Sequence, residues 1–170
     1  MVTIKLFKQD YQEAIDDMLM QISLEFESTI FNNNNAVGNS ILSKYWVAFY
    51  DKELAGTIAI LNLDDDTSIL KNMFVKKKFR GKTFDISYNL LQTAISSCRS
   101  ENISNLYLGT MEQFIAAHKF YEKNGFQKIE EHELPSGFVY NPIDTVFYKK
   151  SVHCTKLGNG HLVTNQKVNQ

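Results

Sequence analysis

The sequence predicts a mixed α/β fold in a single domain, because strand-like and amphipathic helical segments alternate along a chain of domain size. The chain has 170 residues, which one hydrophobic core can serve. Its 44% hydrophobic and 22% charged residues are close to the averages of globular proteins. A hairpin pattern in the first half and strand–helix–strand crossovers in the second half indicate both antiparallel and parallel pairing. We expect this domain over residues 1–150, followed by a polar C-terminal tail at 151–170.

The first half of the chain is predicted to form four strands and one helix. Short β-prone runs bounded by turn formers indicate the strands, and apolar residues at spacings of three and four indicate the helix. Asparagine and glycine compete with regular backbone pairing, so an asparagine-rich stretch is typical of a loop. The elements in order are a strand at 3–8, a helix at 11–28, a loop at 31–39 and strands at 45–50, 54–63 and 69–75.

Two details of these strands bear on the sheet. The tight turn at Asp51-Lys52 makes the strands on either side of it an antiparallel hairpin. In the strand at 69–75, alternation predicts that apolar residues cover both faces. We expect one face to carry Ile69, Met73 and Val75, and the other Leu70 and Phe74.

The second half of the chain is predicted to begin with a basic loop that leads into a helix. A later helix is expected to end at Asn124-Gly125, a stop that uses positive φ. A loop of about twelve residues with two prolines precedes the last strand, a length that suggests a lid or a wall of a site. The elements are a loop at 76–82, a helix over 86–98, a strand at 106–108, a helix at 113–123 and strands at 126–131 and 144–149.

Composition and motifs exclude several classes of function. A formal net charge of −1 gives no overall field that would attract nucleic acid or an anionic membrane, and no apolar run approaches the roughly 20 residues of a membrane span. Cys98 and Cys154 follow no CxxC spacing, which favours a reducing, cytoplasmic location. The four histidines show no ligand spacing, so no metal site is expected. Neither a P-loop nor a GxGxxG or GxSxG motif is present.

The passage from the strand at 69–75 through the basic loop into the next helix is the first candidate site. A helix start offers unpaired N–H groups and a positive dipole end, which bind phosphate groups. The loop adds five basic side chains at the same place. The alternative is a solvated strand end whose lysines discourage aggregation.

At this point two segments resemble motifs of a known family. Residues 73–82, followed by Leu90-Leu91 in the next helix, resemble motif A of the GNAT superfamily. Residues 116–126, which end in Tyr121-Glu122-Lys123-Asn124-Gly125-Phe126, resemble its motif B. The resemblance implies the GNAT acyl-CoA N-acyltransferase fold, a mixed, mostly antiparallel central sheet flanked by helices.

The resemblance implies acetyl-CoA as co-substrate. In such proteins two central strands splay apart, and the pantetheine arm pairs with the backbone of one of them, which corresponds to Phe74 and Val75 here. Asp85 and Ser87 stand where the family pattern has small residues. The residues expected to bind the cofactor are Phe74, Val75, Arg80, Gly81, Lys82, Thr83, Asp85, Ile86 and Ser87.

The resemblance also implies catalytic roles. Tyr121 occupies the position of the tyrosine that protonates the leaving thiolate. A general base or a proton-accepting water chain is needed as well, and Glu25, Glu112, His118 and Asp144 are the candidates. Of these, Glu25 is predicted to be a catalytic residue together with Tyr121. Phe114 replaces an asparagine that many family members carry. Glu25, Phe26 and Lys71 are candidates for the acceptor side.

The function expected from the resemblance is acetyl transfer from acetyl-CoA to a primary amine of a small molecule or peptide, by direct attack in a ternary complex. The alternative is a GNAT-fold module that binds an acyl-CoA without turnover, which the residues at 85, 87 and 114 motivate. A third reading assigns the aromatic strands to a partner interface, although core packing explains them more simply. A homodimer is left open.

Overall fold

A computed structural model describes residues 1–26 and 41–153. The predicted loop at 31–39, the end of the predicted first helix and most of the predicted tail lie outside these ranges. Within them the chain forms seven strands and three α-helices. The strands are β1 Val2–Leu6, β2 Lys44–Tyr50, β3 Glu53–Asn62, β4 Thr67–Val75, β5 Asn105–Thr110, β6 Gln127–Ile129 and β7 Val146–Ser151, and the helices are α1 Gln12–Ser23, α2 Ile86–Ser100 and α3 Ile115–Lys123.

The seven strands form one sheet in the order β1-β2-β3-β4-β5-β7-β6. The β4–β5 pair is parallel, and the other neighbouring pairs are antiparallel. The hairpin predicted at Asp51-Lys52 joins β2 to β3, and both turn residues have positive φ. The expectation of a mixed, mostly antiparallel sheet is therefore confirmed.

The helices cover both faces of the sheet and create separate cores. The main core lies under α2 and α3 and includes Ile58, Leu90 and Tyr121. A second core joins Met18 of α1 to Val47. None of the helices in the described ranges is long and apolar enough to cross a bilayer.

The predicted assignment of faces on β4 is wrong. Leu70 and Val75 belong to the main core with Met73 packed against it, whereas Ile69 packs in a cluster with Phe147. The cause is a bulge at Asn72, whose φ is +49° and where the β3–β4 register shifts. A bulge inserts one extra residue into a strand, so side-chain alternation changes phase across it.

Helix α1 ends earlier than its apolar spacing predicts. Its last helical residue is Ser23, whose hydroxyl donates to the carbonyl of Met20 at 2.7 Å. Such a local side-chain bond competes with continued helix hydrogen bonding. Phe26 still packs against the core under α1, so the apolar spacing identified a half-buried residue beyond the end of the helix.

Candidate active site

A cleft opens where β4 and β5 separate. The two strands pair over Thr67–Ile69 and Asn105–Tyr107, and each continues beyond that pairing. The bulge at Asn72 follows three residues after the last of these pairs, and the Thr57 hydroxyl donates to the Asn72 carbonyl there at 2.8 Å. The result is a cavity of about 490 Å³ bordered by β4, β5, α3 and the start of α2.

The backbone of β4 alternates between the cleft and β3. Lys76 donates its N–H to Ala55 on β3, and the Phe74 carbonyl also lies on that side, 2.6 Å from where a Cβ on Gly56 would stand. By alternation Val75 turns its backbone away from β3, and its carbonyl accepts a bond from Arg80 Nε at 2.8 Å. Of the two residues predicted to pair with pantetheine, Val75 therefore directs its backbone groups to the cleft, whereas Phe74 lines the cavity with its backbone turned to β3.

The predicted phosphate loop runs from β4 to the start of α2. Arg80, Gly81 and Ser87 line the cavity. Lys82, Thr83 and Asp85 are exposed at its mouth, and Ile86 buries its side chain in the main core. Gly81 and Asp85 both have positive φ, at +97° and +51°, so the loop turns sharply before α2 begins.

Several charges of this loop are already paired. Lys76 and Lys78 both contact Glu53, at 3.2 and 2.6 Å. Arg80 forms a two-fold contact with Glu25, at 2.6 and 3.0 Å. The Arg80 guanidinium therefore connects the segment after α1 to the loop, and its Nε donates a hydrogen bond to the Val75 carbonyl.

The residues named as candidate bases lie in different environments. Both carboxylate oxygens of Glu25 accept bonds from Arg80, and Glu25 is absent from the lining of the cavity. His118 contacts the Tyr148 hydroxyl through Nδ1 at 3.0 Å and the Met111 carbonyl through Nε2 at 3.0 Å. Of the four candidates, Asp144 is the one that lines the cavity. The geometry therefore does not favour Glu25 as the base.

Tyr121 lines the cleft, and the end of α3 fixes its position. Gly125 at φ +82° donates to the Glu122 carbonyl, and Phe126 donates to the Tyr121 carbonyl, both at 3.0 Å. This pair of bonds is the Schellman motif, and the Tyr121 and Phe126 rings pack 5.5 Å apart beside it. The predicted positive-φ stop at Asn124-Gly125 is confirmed.

The hydroxyl of Tyr121 faces the cleft from a buried position. It donates to Met73 Sδ at 3.6 Å on β4. Burial raises its pKa well above the ordinary value, and the charge of Asp144 adds to the increase. A phenol with a raised pKa stays protonated at neutral pH, so the Tyr121 hydroxyl carries a proton that it is able to donate.

Two further charged side chains line the other end of the cavity. Lys71 on β4 is 7% exposed and donates to the carbonyl of Val139, a residue of the loop before β7. Burial lowers the pKa of Lys71, and the charge of Asp144 partly offsets that effect. Burial likewise raises the pKa of Asp144, which the charge of Lys71 partly offsets.

Two residues shape the walls that the sequence pattern left undefined. Phe114 and Phe26 meet edge to face, with ring centroids 4.9 Å apart, and both line the cavity. Phe114 therefore closes the cavity against the end of α1, where a polar family residue was expected. Asn141 comes from the proline-containing loop, which does form a wall as its length suggested. No sequence motif marks Asn141.

Comparison with known proteins agrees with this architecture. A sequence profile of the family described as "Acetyltransferase (GNAT) family" matches residues 7–126. N-acetylaspartate synthetase of Danio rerio is 33% identical over 111 residues, which is 63% of this chain and 38% of that protein. The Mus musculus protein of the same name is 30% identical over 118 residues, 68% of this chain and 39% of that one. The chain thus spans about two fifths of these relatives.

Solved structures share the fold. The acetyltransferase of GNAT family from Staphylococcus aureus Mu50 superposes with a TM-score of 0.82 at 28% identity, over 89% of this chain and 99% of that one. The PaiA N-acetyltransferase from Thermoplasma acidophilum, solved in complex with coenzyme A, gives 0.69 at 17% identity, over 89% and 99%.

The family profile covers α1 to α3 and β2 to β5, which supply most of the walls of the cleft, and the loop before β7 lies outside the match. The chain belongs to the acetyltransferase (GNAT) family, whose profile spans residues 7–126.

Proposed function

We propose that this protein transfers the acetyl group of acetyl-CoA to the primary amine of a small molecule by direct attack in a ternary complex. The observation that carries the proposal is the cleft between β4 and β5, which opens beside a buried tyrosine at one wall and a basic loop at its mouth. Its volume of about 490 Å³ is in the range of small-molecule sites.

The cofactor would bind along β4. The cleft-facing backbone of Val75 would pair with the pantetheine amides once Arg80 Nε leaves the carbonyl that it now occupies. Backbone N–H groups from Gly81 to Ser87, at the start of α2, would receive the pyrophosphate. Lys82 is exposed beside them and can add charge.

The chemistry needs a neutral amine and a protonated leaving group. An amine with a pKa of ~10.4 is deprotonated about once in two thousand molecules at pH 7, so a proton acceptor is required. Attack forms the C–N bond, and collapse breaks the C–S bond. We assign the proton that the thiolate then needs to the Tyr121 hydroxyl, which is buried in the cleft and stays protonated.

The acceptor that we favour is an amino acid. The named relatives are N-acetylaspartate synthetases, and N-acetylglutamate synthase from Neisseria gonorrhoeae, solved with coenzyme A and N-acetyl-glutamate, shares the fold at 18% identity with a TM-score of 0.67. Both names describe products acetylated on an amino acid. We also propose that the protein is cytoplasmic and that it is able to form a homodimer.

Replacement of Tyr121 tests the acid role. Tyr121→Phe removes one oxygen and should lower kcat about 100-fold, because general acid catalysis contributes roughly 10²–10⁴-fold, while the Kd for acetyl-CoA should change by less than a factor of about three. Thiol release during turnover and calorimetric binding of acetyl-CoA measure the two quantities. Tyr11→Phe, on the opposite face of the sheet against Phe49, is the matched control. Unchanged kcat in Tyr121→Phe would remove the tyrosine from the mechanism.

A binding module without turnover is the second candidate function. The observation that favours it is the occupation of the Val75 carbonyl by Arg80, together with a carboxylate at position 85 beside the start of α2. A wild-type protein that binds acetyl-CoA but releases no thiol with any member of an amine panel would establish this function instead.

A further inference from the structure

Two opposite charges that line the cavity are close enough to influence each other but do not form an ion pair. Lys71 and Asp144 both line the cavity, and each shifts the pKa of the other. Among the described residues, no carboxylate lies within 4.0 Å of the Lys71 ammonium group. Both side chains therefore border the cavity without pairing with each other.

The ammonium group of Lys71 has no anionic partner among the described residues. Its ammonium group has three N–H donors, and the structure gives it the carbonyl of Val139 and the face of the Phe138 ring, 5.5 Å from the ring centroid. A buried ammonium group is costly unless a charge or several acceptors compensate it. A carboxylate of a bound ligand would supply both.

The carboxylate of Asp144 has no cationic partner within ion-pair distance among the described residues. One oxygen, Oδ2, accepts the Asn141 N–H at 3.2 Å and lies over Gly109, where a Cβ would stand 2.5 Å away. The side-chain oxygen of Asn141 is buried, and no donor reaches it within the described part of the chain. A carboxylate and an unused amide oxygen on the same loop are the acceptors that a ligand ammonium group needs.

We propose that the acceptor is a free amino acid, whose carboxylate is bound by Lys71 and whose amino group is bound by Asp144 and Asn141, with Asp144 as the general base. This inference rests on the proposed acetyl transfer and adds the charge pattern of the substrate. It replaces Glu25, whose two oxygens are held by Arg80 outside the cavity lining, with a carboxylate that lies inside it.

The protons balance in this scheme. The substrate ammonium group gives one proton to the Asp144 carboxylate and becomes a neutral amine. The amine attacks the thioester carbon, the C–S bond breaks, and the thiolate takes the Tyr121 proton. The nitrogen loses its second proton, which restores the tyrosine through water, and Asp144 releases its proton to solvent. The net products are the N-acetyl amino acid, coenzyme A with a free thiol, and one proton.

The first experiment compares substrates on the unaltered protein, so it does not depend on a variant that folds. L-aspartate, L-glutamate and the other amino acids are each paired with the α-carboxamide of the same compound, and thiol release gives kcat/KM. We expect the free acid to exceed its carboxamide by about 100-fold, the effect of losing one buried charge partner. The lower amine pKa of a carboxamide would act in the opposite direction.

The second experiment assigns that preference to Lys71. Lys71→Met keeps an unbranched side chain that is one atom shorter and removes its charge, and it should lower kcat/KM for the free acid about 100-fold more than for the carboxamide. Lys5→Met, an exposed lysine on β1 that lies over Phe49, is the matched control. Equal loss on both substrates would mean a structural role and would overturn the assignment.

The third experiment tests Asp144 as the base through the pH profile. The charge of Lys71 on β4 lowers the pKa of Asp144, and the charge of Asp144 in turn raises the pKa of Tyr121 on α3. Asp144→Asn should lower kcat about 100-fold at pH 7 and recover toward pH 9, as the amine loses its proton without help. Asp65→Asn, in the exposed β3–β4 turn, is the control. A parallel pH profile in variant and wild type would overturn the base role.

These outcomes separate the two proposals. If the wild type binds acetyl-CoA and acetylates amines without a carboxylate as fast as amino acids, the amino-acid inference fails and acetyl transfer stands. If no amine in either series releases thiol, the proposed function itself fails. Thermal unfolding and acetyl-CoA binding of each variant show whether it has folded, and the substrate comparison on the wild type decides the inference if it has not.

Discussion

At the scale of single residues, Asp85 has a left-handed backbone at the mouth of the proposed phosphate site. Its φ is +51°, and it is the residue immediately before α2. The left-handed region costs most L-amino acids roughly 1–2 kcal/mol, and it costs aspartate and asparagine less. The conformation explains why the family pattern has a small residue at this position, and why an aspartate can still occupy it.

Two substitutions separate the charge of Asp85 from its conformation. Asp85→Asn removes a like charge near the proposed phosphates and should tighten acetyl-CoA binding about 2- to 5-fold at low salt, with little change in Tm. Asp85→Gly should tighten binding equally and also stabilise the fold by about 0.5–1 kcal/mol. Calorimetry at two salt concentrations and thermal unfolding measure these effects. Binding that neither substitution changes would place the phosphates elsewhere.

The sequence predicts the residues of the cofactor loop better than it predicts Lys71 and Asp144, which we propose to bind the acceptor. Positions 74–87 are contiguous, so a motif could identify Val75, Arg80 and Gly81 together. Lys71 and Asp144 come from β4 and from the loop before β7, and the sheet brings them to one cavity. Sequence reasoning could name each as a candidate, but it could not show that they share a cavity or that Arg80 holds Glu25.

At the scale of elements, the end of α3 shows why a family motif is also a structural device. The Schellman bonds at Gly125 and Phe126 close the helix one turn after Tyr121, and the Phe126 ring packs against that tyrosine. The motif therefore fixes the position of the proposed acid as well as ending a helix. This part was predictable because the relevant contacts are local in sequence.

Gly125→Ala tests the coupling between the helix end and catalysis. An alanine at φ +82° is strained, and its Cβ would stand 2.7 Å from Lys150 Nζ, a flexible group that can move. We expect a loss of about 1–2 kcal/mol in the free energy of unfolding and a several-fold lower kcat as Tyr121 shifts. Asn102→Ala, also at positive φ but after α2, is the control for strain alone. Equal kcat in the two variants would show that the end of α3 does not influence catalysis.

The bulge on β4 is the element that the sequence did not predict. Asn72 has no flanking glycine or proline, and the run around it reads as a regular strand. Its αL conformation depends on the Thr57 hydroxyl, a contact between residues 15 positions apart in the chain. Such a non-local bond leaves no periodic signal, so the alternation rule failed there. The bulge lies three residues beyond Ile69, the last β4 residue that pairs with β5, so it sits in the stretch of β4 that borders the cleft.

At the scale of the whole molecule, a polar cluster ties α2 to the β2 and β3 strands. Glu101, just after α2, contacts Lys44 of β2 and accepts a bond from Asn62 of β3 at 3.1 Å. The Ser97 hydroxyl on α2 receives a bond from Lys44 Nζ at 2.8 Å. The cluster lies at the far end of α2 from the cofactor loop, so changes there act on stability without touching the cleft.

The pH dependence of stability tests this cluster. The hydrogen bond from Lys44, and then that from Asn62, hold the pKa of Glu101 below its ordinary value of 4.5. A depressed carboxyl pKa stabilises the fold above the unfolded pKa, and that contribution disappears as the pH falls through the folded pKa. Glu101→Gln should therefore lower Tm by about 1–3 °C at pH 7, the scale of a partly exposed ion pair, and by progressively less as the pH falls from 4.5 toward 3.

Kcat/KM at pH 7 should stay within a factor of about two, because the cluster is remote from the cavity. A Tm difference that is constant across this pH range would show that Glu101 acts through packing rather than through its charge.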